Sequence, residues 1–277
     1  MQFIAVDWGT TNFRAFLVNG RGDIVDKREV PMGLLQVRTG TFAEVFESIL
    51  SPWLVDYQSM PVIMAGMVGS KQGWLEVKYV PTKAGIQEIA AGITSFTLPW
   101  GAKASLVPGV SHQSSTGIFD VMRGEEVQIL GLAALVNANN FNAMLPGTHN
   151  KHALIQNGKI TEFSTYLTGE LFSVVSKHML IATNLNFNSL GSNKSSFLQG
   201  VEVGNKADSL SQALFTVRTQ RLFNVVTDDA APDYLSGILI GNELRSLQAD
   251  NYFIVGGSHL SQRYKEALGK LRISPAI

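Results

Sequence analysis

The stretch FIAVDWGTTNFRAFLV, residues 3–18, places a polar turn between two apolar runs. The runs 3–6 and 15–18 predict two short strands. A turn signal at 20–23 then precedes a third predicted strand at 24–31. The chain is therefore expected to begin with an antiparallel meander. Its first turn, DWGTTN, combines a carboxylate with several groups that suit an anion.

The hydrogen-bond donors of this turn are of the kinds that bind anions in proteins. Gly9 has no side chain, so backbone N–H groups can approach a bulky anion. Thr10 and Thr11 add hydroxyl donors, Asn12 adds an amide, and Arg14 could add positive charge. On spacing alone, an ordinary β-turn stabilised by the Asn side chain is an equally good interpretation.

Asp7 favours the anion interpretation. A carboxylate beside phosphate oxygens is repulsive unless a cation lies between them. Mg²⁺ is usually held by one or two carboxylates, often through waters, together with substrate phosphates. The turn therefore predicts a site for Mg²⁺ and a nucleotide, with Asp7 holding the metal through water.

A second turn of the same kind lies in LPGTHNKH, residues 145–152. Gly147 and Thr148 repeat the glycine–threonine chemistry, and Lys151 supplies a cation. His149 and His152 are three residues apart, but in a predicted hairpin rather than on a helix. Metal ligation by these histidines is the less favoured hypothesis.

A third glycine-containing loop follows the predicted strand in YFIVGGSHL, residues 252–260. Gly256, Gly257 and Ser258 could pass close to an adenosine, although many Gly-Gly loops are only turns. Taken alone, this loop is a weak signal.

Three carboxylates lie close together in DVMRGEEVQILG, which begins at Asp120. Phosphoryl transfer to an alcohol requires a carboxylate that orients the hydroxyl and accepts its proton. Glu125, followed by Glu126, comes after Gly124 at a predicted helix start, where the helix dipole keeps a carboxylate ionised. Helix-capping acids on a solvated face are the alternative, and spacing alone favours it.

The loop GMVGSKQGWLEVKYV suits a small polar ligand, because it offers donors among glycines and an indole that can lie on a sugar face. Its candidate contacts are Gly69, Ser70, Lys71, Gln72 and Trp74. Trp74 could equally belong to the core. Trp8, inside the first turn, is harder to explain as a core residue and is predicted to contact the substrate.

Apolar spacing predicts helices over 41–54 and 125–137 and a helical region from 169 to about 224. Thr41, followed three residues later by Glu44, predicts a capping box. The helix over 125–137 should present a wide apolar face. Residues 61–65 predict a buried strand.

The second turn is followed by Asn157-Gly158, a strong signal for a tight hairpin turn. The chain thus repeats the order of apolar strand, glycine–threonine turn, apolar strand and tight turn. Two such starts, separated by a helix, predict two related lobes, residues 1–140 and 141–277.

Composition excludes several classes of protein. Lys plus Arg and Asp plus Glu each total 22, so a nucleic-acid partner is not expected. The absence of Cys excludes disulfides, thiolate zinc sites and thiol catalysis. No signal peptide and no apolar run of about 18 residues occur, which predicts a cytoplasmic protein without a membrane partner. The motifs of P-loops, dinucleotide folds and serine hydrolases are missing.

Together these stretches resemble the sugar kinase/Hsp70/actin superfamily. Within it, DWGTTNFRAFL, GMVGSKQGW, DVMRGEE, LPGTHNKH and YLSGILIG closely resemble the 2-dehydro-3-deoxygalactonokinase family, from Phe3 to about Leu268. The resemblance implies an α/β protein with a two-lobed actin-like ATPase (ribonuclease H-like) fold and ATP in the inter-lobe cleft. It also implies transfer of the ATP γ-phosphate to the 6-hydroxyl of 2-dehydro-3-deoxy-D-galactonate in galactonate catabolism.

The resemblance also implies roles for particular residues. The first phosphate loop would be Gly9, Thr10 and Thr11, the second Gly147 and Thr148, and the adenosine loop Gly256 and Gly257. Asp7 would hold Mg²⁺. By analogy with other sugar kinases, Glu125 would be the general base, with Glu126, also a candidate substrate contact, and Asp120 in reserve.

Two features depart from the family pattern. His152 stands where the family usually has Trp, so the packing there is expected to differ. The chain ends at LRISPAI, which is shorter than expected, and the missing part would be a final helix.

Two functions other than a sugar-acid kinase are also compatible with parts of the pattern. A non-metabolic ATPase of the same superfamily would use the same hairpins, but such members are larger than 277 residues. A sugar-responsive regulator would require a DNA-binding helix pair or a basic patch, and the sequence shows neither. The sequence does not predict an oligomeric state.

Overall fold

The computed structural model describes residues 1–247 and 252–273. The chain divides into two compact units. The first contains Met1–Asn140 and Ile155–Glu162, and the second contains Phe141–Leu154 and Phe163–Ile277. Residues 274–277, the end of the LRISPAI segment on which the expectation of a missing final helix rested, lie outside the described residues.

The first unit is built on a six-stranded sheet with the strand order β3-β2-β1-β4-β7-β6 and a three-stranded sheet with the order β5-β8-β9. The strands are β1 (Phe3–Trp8), β2 (Phe13–Val18), β3 (Ile24–Val30), β4 (Val62–Ala65), β5 (Val80–Pro81), β6 (Thr94–Thr97), β7 (Lys103–Leu106), β8 (Val110–Gln113) and β9 (Phe119–Met122). The helices are α1 (Phe42–Leu50), α2 (Ile86–Ala91) and α3 (Glu125–Val136).

The predicted meander is confirmed, because β2 pairs antiparallel with both β1 and β3. β4 lies parallel to β1 on its other side, with Asp7 opposite Ala65. Burial alternates along β1, where Ile4, Val6 and Trp8 are buried. Because successive side chains of a strand point to opposite faces, Asp7 lies on the face opposite the Trp8 indole.

Two predicted helices differ in detail from the structure. α1 ends at Leu50 rather than at 54, because Pro52 has no N–H with which to continue the helix. Thr41 occupies the N-cap position, but its hydroxyl donates to the Arg38 carbonyl, so the predicted capping box is wrong. α3 forms as predicted, yet Leu135 is 87% exposed, so its apolar face is only partly buried.

The second unit carries a four-stranded sheet with the order β12-β11-β10-β13, in which β10 and β13 are parallel. The strands are β10 (Phe141–Leu145), β11 (Asn150–Gln156), β12 (Lys159–Tyr166) and β13 (Tyr252–Ile254). The helices are α4 (Thr168–His178), α5 (Lys194–Lys206), α6 (Leu210–Leu222), α7 (Ala231–Glu243) and α8 (Ser258–Leu271).

The predicted tight turn between β11 and β12 is confirmed. Asn157 and Gly158 have φ values of 52° and 72°, as a two-residue hairpin turn with two left-handed residues requires. This end of the hairpin, residues 155–162, belongs to the first unit, where Ile160 pairs with Ala84.

Helices α5 and α7 pack with their backbones in contact. A Cβ atom on Gly237 would lie 2.1 Å from the Phe197 carbonyl oxygen, and one on Gly200 would lie 2.1 Å from the Tyr234 carbonyl oxygen. Gly204 and Gly241 make equivalent close approaches. Only glycine permits so short a distance between the two helix backbones. The packing also places the end of α7 near the second glycine–threonine turn.

None of the helices in the described part of the chain is long and apolar enough to cross a membrane.

Candidate active site

The first turn is held from one side by the segment that follows β3. The carbonyl oxygens of residues 9–11 accept hydrogen bonds from the N–H groups of residues 33–35, at 2.9–3.2 Å. A Cβ atom on Gly33 would lie 2.3 Å from the carbonyl carbon of Thr11, so only glycine fits there. The predicted phosphate contacts Thr10, Thr11 and Asn12 remain exposed. Gly33 was missed by the sequence reasoning.

Gly9 has a structural part in this turn. Its N–H donates to the Asn12 carbonyl at 2.9 Å, which closes the turn. This N–H is therefore used internally, and the turn offers an anion the groups of Thr10, Thr11 and Asn12 instead.

Asp7 lies at the end of β1 and faces Arg14 across the β1–β2 pair. Arg14 Nη1 is 3.3 Å from Asp7 Oδ2. Burial raises the pKa of the Asp7 carboxyl, while the charge and hydrogen bond of Arg14 act in the opposite direction. The structure thus pairs Arg14, which could have contacted phosphate, with the carboxylate that is proposed to hold Mg²⁺.

Gly66 lies between the Asp7 side chain and the start of α3. A Cβ atom on Gly66 would lie 3.3 Å from Asp7 Oδ1, and one on Gly124 would lie 3.3 Å from the Gly66 Cα. Gly124 has a φ of 110°, a conformation that favours glycine. The structure therefore brings the Asp7 carboxylate and the acid-bearing helix start, Glu125 and Glu126, into one neighbourhood.

The two acids at this helix start have different environments. Glu125 is partly exposed, and its Oε2 accepts the Arg123 backbone N–H at 3.1 Å. Glu126 is fully buried, and its Oε1 and Oε2 accept the Gly124 N–H at 2.9 and 2.7 Å. Burial raises the pKa of Glu126 to about 8. Exposure therefore favours Glu125 as the acid that touches a substrate.

Asp120, the other reserve acid, lies within β9 and is partly exposed. Its Oδ1 accepts the Val121 backbone N–H at 2.7 Å. It is thus a strand residue rather than part of the α3 start.

The expectation that Trp8 contacts a substrate is wrong for this structure. Its side chain is fully buried, its Nε1–H donates to the Met32 carbonyl at 2.9 Å, and its ring packs edge-on against Phe13 at 4.9 Å between centroids. The period-two alternation of β1 places Trp8 on the core face with Ile4 and Val6.

Trp74 also packs in the core of the first unit. Its ring stacks on Phe42 at 6.2 Å and lies 5.3 Å from the Phe96 ring. These contacts support the core alternative, although Trp74 is only partly buried. In the same loop Gly69 and Ser70 are buried, whereas Lys71 and Gln72 are exposed.

The second turn leaves Gly147, Thr148 and His149 exposed. The Gly147 N–H donates to Asn150 Oδ1 at 2.7 Å, so it too is used within the turn. The start of α4 lies against the turn, because the Glu170 N–H donates to the Thr148 carbonyl at 3.0 Å. His149 Nε2 is 2.7 Å from Glu170 Oε2.

Lys151 does not reach this exposed turn, which corrects the prediction that it contacts phosphate. It is 5% exposed, and its Nζ donates to Thr165 Oγ1 at 2.6 Å. Lys151 is thus a buried residue of β11 that bonds the neighbouring strand β12. Its partner lies 14 positions away, beyond the reach of local spacing.

A buried carboxylate supports the second turn. Glu243, at the end of α7, is 3% exposed and accepts hydrogen bonds from four side chains. The donors are Asn150 Nδ2 at 2.7 Å, His152 Nε2 at 2.6 Å, the Tyr264 hydroxyl at 2.7 Å and the Thr168 hydroxyl. Burial and the nearby Glu243 raise the pKa of Tyr264. Glu243 thus holds Asn150, whose Oδ1 binds the Gly147 N–H.

The third loop lies beside the second turn. A Cβ atom on Gly256 would lie 3.3 Å from the Pro146 carbonyl oxygen, and the Val255 N–H donates to the Met144 carbonyl at 2.9 Å. Gly256, Gly257 and Ser258 are exposed, and Ser258 begins α8.

A cavity of about 110 Å³ lies next to this turn and loop in the second unit. Its walls include Gly147, Phe172, Leu239 and Arg263. Arg263 is 7% exposed, and its Nη1 donates to Asp233 Oδ1 at 2.6 Å. Its guanidinium lies 4.0 Å from the centre of the Phe197 ring, and its buried Nε and Nη2 have no hydrogen-bond partner in the described part of the chain. A cavity with mostly apolar walls is typical of sites for small organic ligands.

Across residues 1–247 and 252–273, no group of three or more His, Asp or Glu could hold a metal ion. The two histidines considered as ligands instead pair with carboxylates, His149 with Glu170 and His152 with Glu243.

Comparison with known proteins identifies close relatives. The family model described as 2-keto-3-deoxy-galactonokinase matches residues 7–277. The 2-dehydro-3-deoxygalactonokinase of Escherichia coli K12 is 32% identical over 273 residues, which cover 96% of this chain and 89% of the relative. A crystal structure described as a 2-dehydro-3-deoxygalactonokinase from Sinorhizobium meliloti has a TM-score of 0.89 and 29% identity, and covers 99% of this chain and 92% of its own.

Two more distant structures show only the fold, at 12% identity and a TM-score of 0.51 each. One is an N-acetylglucosamine kinase from Porphyromonas gingivalis, matched over 99% of this chain and 93% of its own. The other is the activator of 2-hydroxyisocaproyl-CoA dehydratase from Clostridium difficile with bound ADPNP, matched over 99% and 87%. The predicted α/β actin-like ATPase fold is confirmed by these likenesses.

Proposed function

Because the chain belongs to the 2-keto-3-deoxy-galactonokinase family, we propose that it transfers the γ-phosphate of ATP to the 6-hydroxyl of 2-dehydro-3-deoxy-D-galactonate. The observation that carries this proposal is the position of Gly66, which lies against both the Asp7 carboxylate and Gly124 at the start of α3. A phosphate-associated acid and a candidate base therefore lie at one site of the first unit. Phosphoryl transfer to an alcohol requires both groups.

Glu125 is the proposed general base. As the bond from the 6-oxygen to the γ-phosphorus forms, the hydroxyl proton passes to the Glu125 carboxylate, and ADP departs with the electrons of the broken P–O bond. Its partial exposure allows contact with a substrate, which the full burial of Glu126 does not. The hydrogen bond from the Arg123 N–H orients the Glu125 carboxylate.

The exposed groups of the first turn, Thr10, Thr11 and Asn12, are the proposed phosphate contacts there. In the second unit, Thr148 is the corresponding contact. The carbonyl groups of the first turn are already bonded to residues 33–35, so the turn can present its donors without rearrangement. Such fixed donors stabilise the charge that develops during transfer.

The donor set around Asp7 fits Mg²⁺. One carboxylate at the edge of an exposed turn is sufficient, because Mg²⁺ takes its other ligands from waters and substrate phosphates. When bound, the ion would neutralise phosphate charge during transfer. Asp7 is the residue that would hold it.

The adenosine is proposed to bind at Gly256, Gly257 and Ser258 and in the adjacent cavity. The apolar walls formed by Phe172 and Leu239 suit a flat heterocycle. The loop glycines leave space, since a Cβ atom on Gly257 would meet nothing within 4 Å.

The test is an ADP-release assay with Mg²⁺, ATP and 2-dehydro-3-deoxygalactonate, with the phosphorylated product identified by mass spectrometry. We expect saturable release that requires the sugar acid. Other keto-deoxy sugar acids and simple polyols serve as comparison substrates. ADP release that is independent of any acceptor would indicate a plain ATPase, and a stronger reaction with another acid would replace the substrate named here.

A further inference from the structure

The first unit contains a buried guanidinium with unused donors. Arg123 is 8% exposed, and its Nη2 donates to the Val77 carbonyl at 2.6 Å. Its guanidinium lies 4.3 Å from the centre of the Tyr79 ring. Among the residues that the structure describes, the buried Nε and Nη1 have no hydrogen-bond partner. Leaving a buried donor unsatisfied costs about 1–3 kcal/mol, so the position requires an explanation.

A second unused group follows the glycine that this guanidinium contacts. Arg123 Nη1 is 3.0 Å from the position that a Cβ atom on Gly69 would take, so a larger residue at 69 would displace it. Ser70 follows directly and is 8% exposed, and no group in residues 1–247 or 252–273 is a hydrogen-bond partner of its buried hydroxyl. The residue next to the glycine that the guanidinium contacts thus carries a buried hydroxyl, and a cation with unused donors together with such a hydroxyl suits an anion.

The same cluster is connected to the proposed base. The Arg123 backbone N–H donates to Glu125 Oε2, while the guanidinium of the same residue donates to the Val77 carbonyl. The proposed substrate has its carboxylate at one end and the reacting 6-hydroxyl at the other. One elongated molecule could therefore meet the guanidinium with its acid end and Glu125 with its hydroxyl end.

We infer that Arg123 and Ser70 bind the carboxylate of the sugar acid, an inference that rests on the proposed function. A guanidinium matches a carboxylate in charge and in planar geometry, and such charge-assisted hydrogen bonds are roughly twice as strong as neutral ones. This contact gives a physical reason for preferring an acid over an uncharged sugar.

A single loop surrounds the guanidinium, since Gly69, Val77 and Tyr79 provide its neighbours. Residues 70–79 of this loop form neither helix nor strand, and Lys71 and Gln72 are exposed. Loops change conformation more readily than the elements they connect. Entry of the carboxylate is therefore a local adjustment of this loop, and the acid then accepts a hydrogen bond from Nη1, the nitrogen that faces Gly69.

The experiment compares two substrates in two enzymes. The sugar acid and its uncharged C1 amide are each assayed with the unaltered protein and with Arg123→Met. We expect Arg123→Met to lower kcat/KM for the acid by about 100-fold or more, and to change kcat/KM for the amide by less than about fivefold, because only the acid loses a paired charge. Ser70→Ala should cost the acid about tenfold. Arg28→Met, at an exposed position of β3, is the matched control and should change neither.

Equal losses for the acid and the amide would overturn the inference, since a purely structural Arg123 affects both alike. Arg123→Lys keeps the positive charge and serves as a control for misfolding of Arg123→Met. It should recover part of the activity towards the sugar acid. Unchanged acid activity in Arg123→Met would also overturn the inference. If the unaltered protein phosphorylates neither substrate, the proposed function fails instead, so the two failures are distinguishable.

Discussion

A Cβ atom on Gly169 would lie 2.1 Å from the carbonyl oxygen of Gly147, so the start of α4 rests directly on the backbone of the second turn. Gly33 has the same relation to the first turn, where a Cβ atom would lie 2.4 Å from the carbonyl oxygen of Thr10. In each unit a glycine distant in sequence thus supports a glycine–threonine turn. Each of the two proposed phosphate sites depends on this support.

Gly169→Ala should weaken nucleotide binding. The added methyl group cannot fit 2.1 Å from a carbonyl oxygen, so either the turn or α4 must shift. Overpacking of this kind costs typically about 1–3 kcal/mol. We expect the KM for ATP to rise by about tenfold or more, with a smaller change in the KM for the sugar acid. Gly131→Ala is the control, because a Cβ atom there meets nothing within 4 Å. A Gly169→Ala protein with an unaltered KM for ATP would contradict the support role.

Glu125→Gln should abolish most turnover while leaving ATP binding intact. The amide cannot accept the hydroxyl proton, and lost general-base catalysis typically costs about 10²- to 10⁴-fold in rate. Steady-state kinetics give the turnover, and calorimetric titration gives the affinity for ATP. Asp120→Asn provides the comparison at a strand position outside the α3 start. Near-normal turnover in Glu125→Gln, together with a large loss of turnover in Asp120→Asn, would show that Asp120 rather than Glu125 is the general base.

Glu126 should make the stability of the protein depend on pH. Burial raises its pKa from 4.5 to about 8, so the folded state holds a proton that the unfolded state releases between these values. The stability contributed by the neutral carboxyl is present below pH 4.5 and is lost as the pH rises towards 8, by about 1.4 kcal/mol per unit. Between pH 5.5 and 7.5 the unaltered protein should therefore lose roughly 3 kcal/mol relative to Glu126→Gln.

Denaturant unfolding of both proteins at the two pH values provides this measurement. Other titrating groups, such as Asp7, contribute similarly to both proteins and cancel in the difference. Parallel pH dependences in the two proteins would show that Glu126 is ionised in the folded state.

The close packing of α5 and α7 predicts a large effect of a single methyl group. Gly237→Ala would place a Cβ atom 2.1 Å from the Phe197 carbonyl oxygen and should lower the free energy of unfolding by about 2–3 kcal/mol. Gly269→Ala, in α8, meets nothing within 4 Å and should stabilise the helix by up to about 1 kcal/mol. Thermal unfolding of the two variants would therefore shift in opposite directions, and equal shifts would argue against backbone contact between α5 and α7.

Local patterns predicted most of the strands and both turns. The meander, the Asn157-Gly158 hairpin and the start of α3 depend on residues that are neighbours in sequence, so spacing and turn chemistry are sufficient. The same alternation along β1 also contained the signal that Trp8 belongs to the core, because Ile4, Val6 and Trp8 share one face.

The groups that support the site could not be predicted in this way. Gly33 acts on residues more than twenty positions away, and Glu243 binds Asn150 across 93 positions of sequence. Lys151 and Arg123 are buried by segments that only the folded chain brings together. In the sequence, a lysine or arginine near a glycine–threonine turn looks like a phosphate contact. The sequence alone does not show whether its side chain is exposed or buried in the folded chain.

Glu243→Gln tests the buried network behind the second turn. The amide keeps the shape of the side chain but replaces one acceptor oxygen with a donor, which faces other donors among Asn150, His152 and Tyr264. Removing one partner of a buried hydrogen bond to a charged group costs about 1.5–3 kcal/mol. Because Asn150 then holds the Gly147 N–H less firmly, we expect a higher KM for ATP and a nearly unchanged KM for the sugar acid. Steady-state kinetics at saturating co-substrate separate the two constants, and Glu44→Gln, at an exposed position of α1, is the control. A general loss of stability with both KM values unchanged would show that Glu243 serves folding alone.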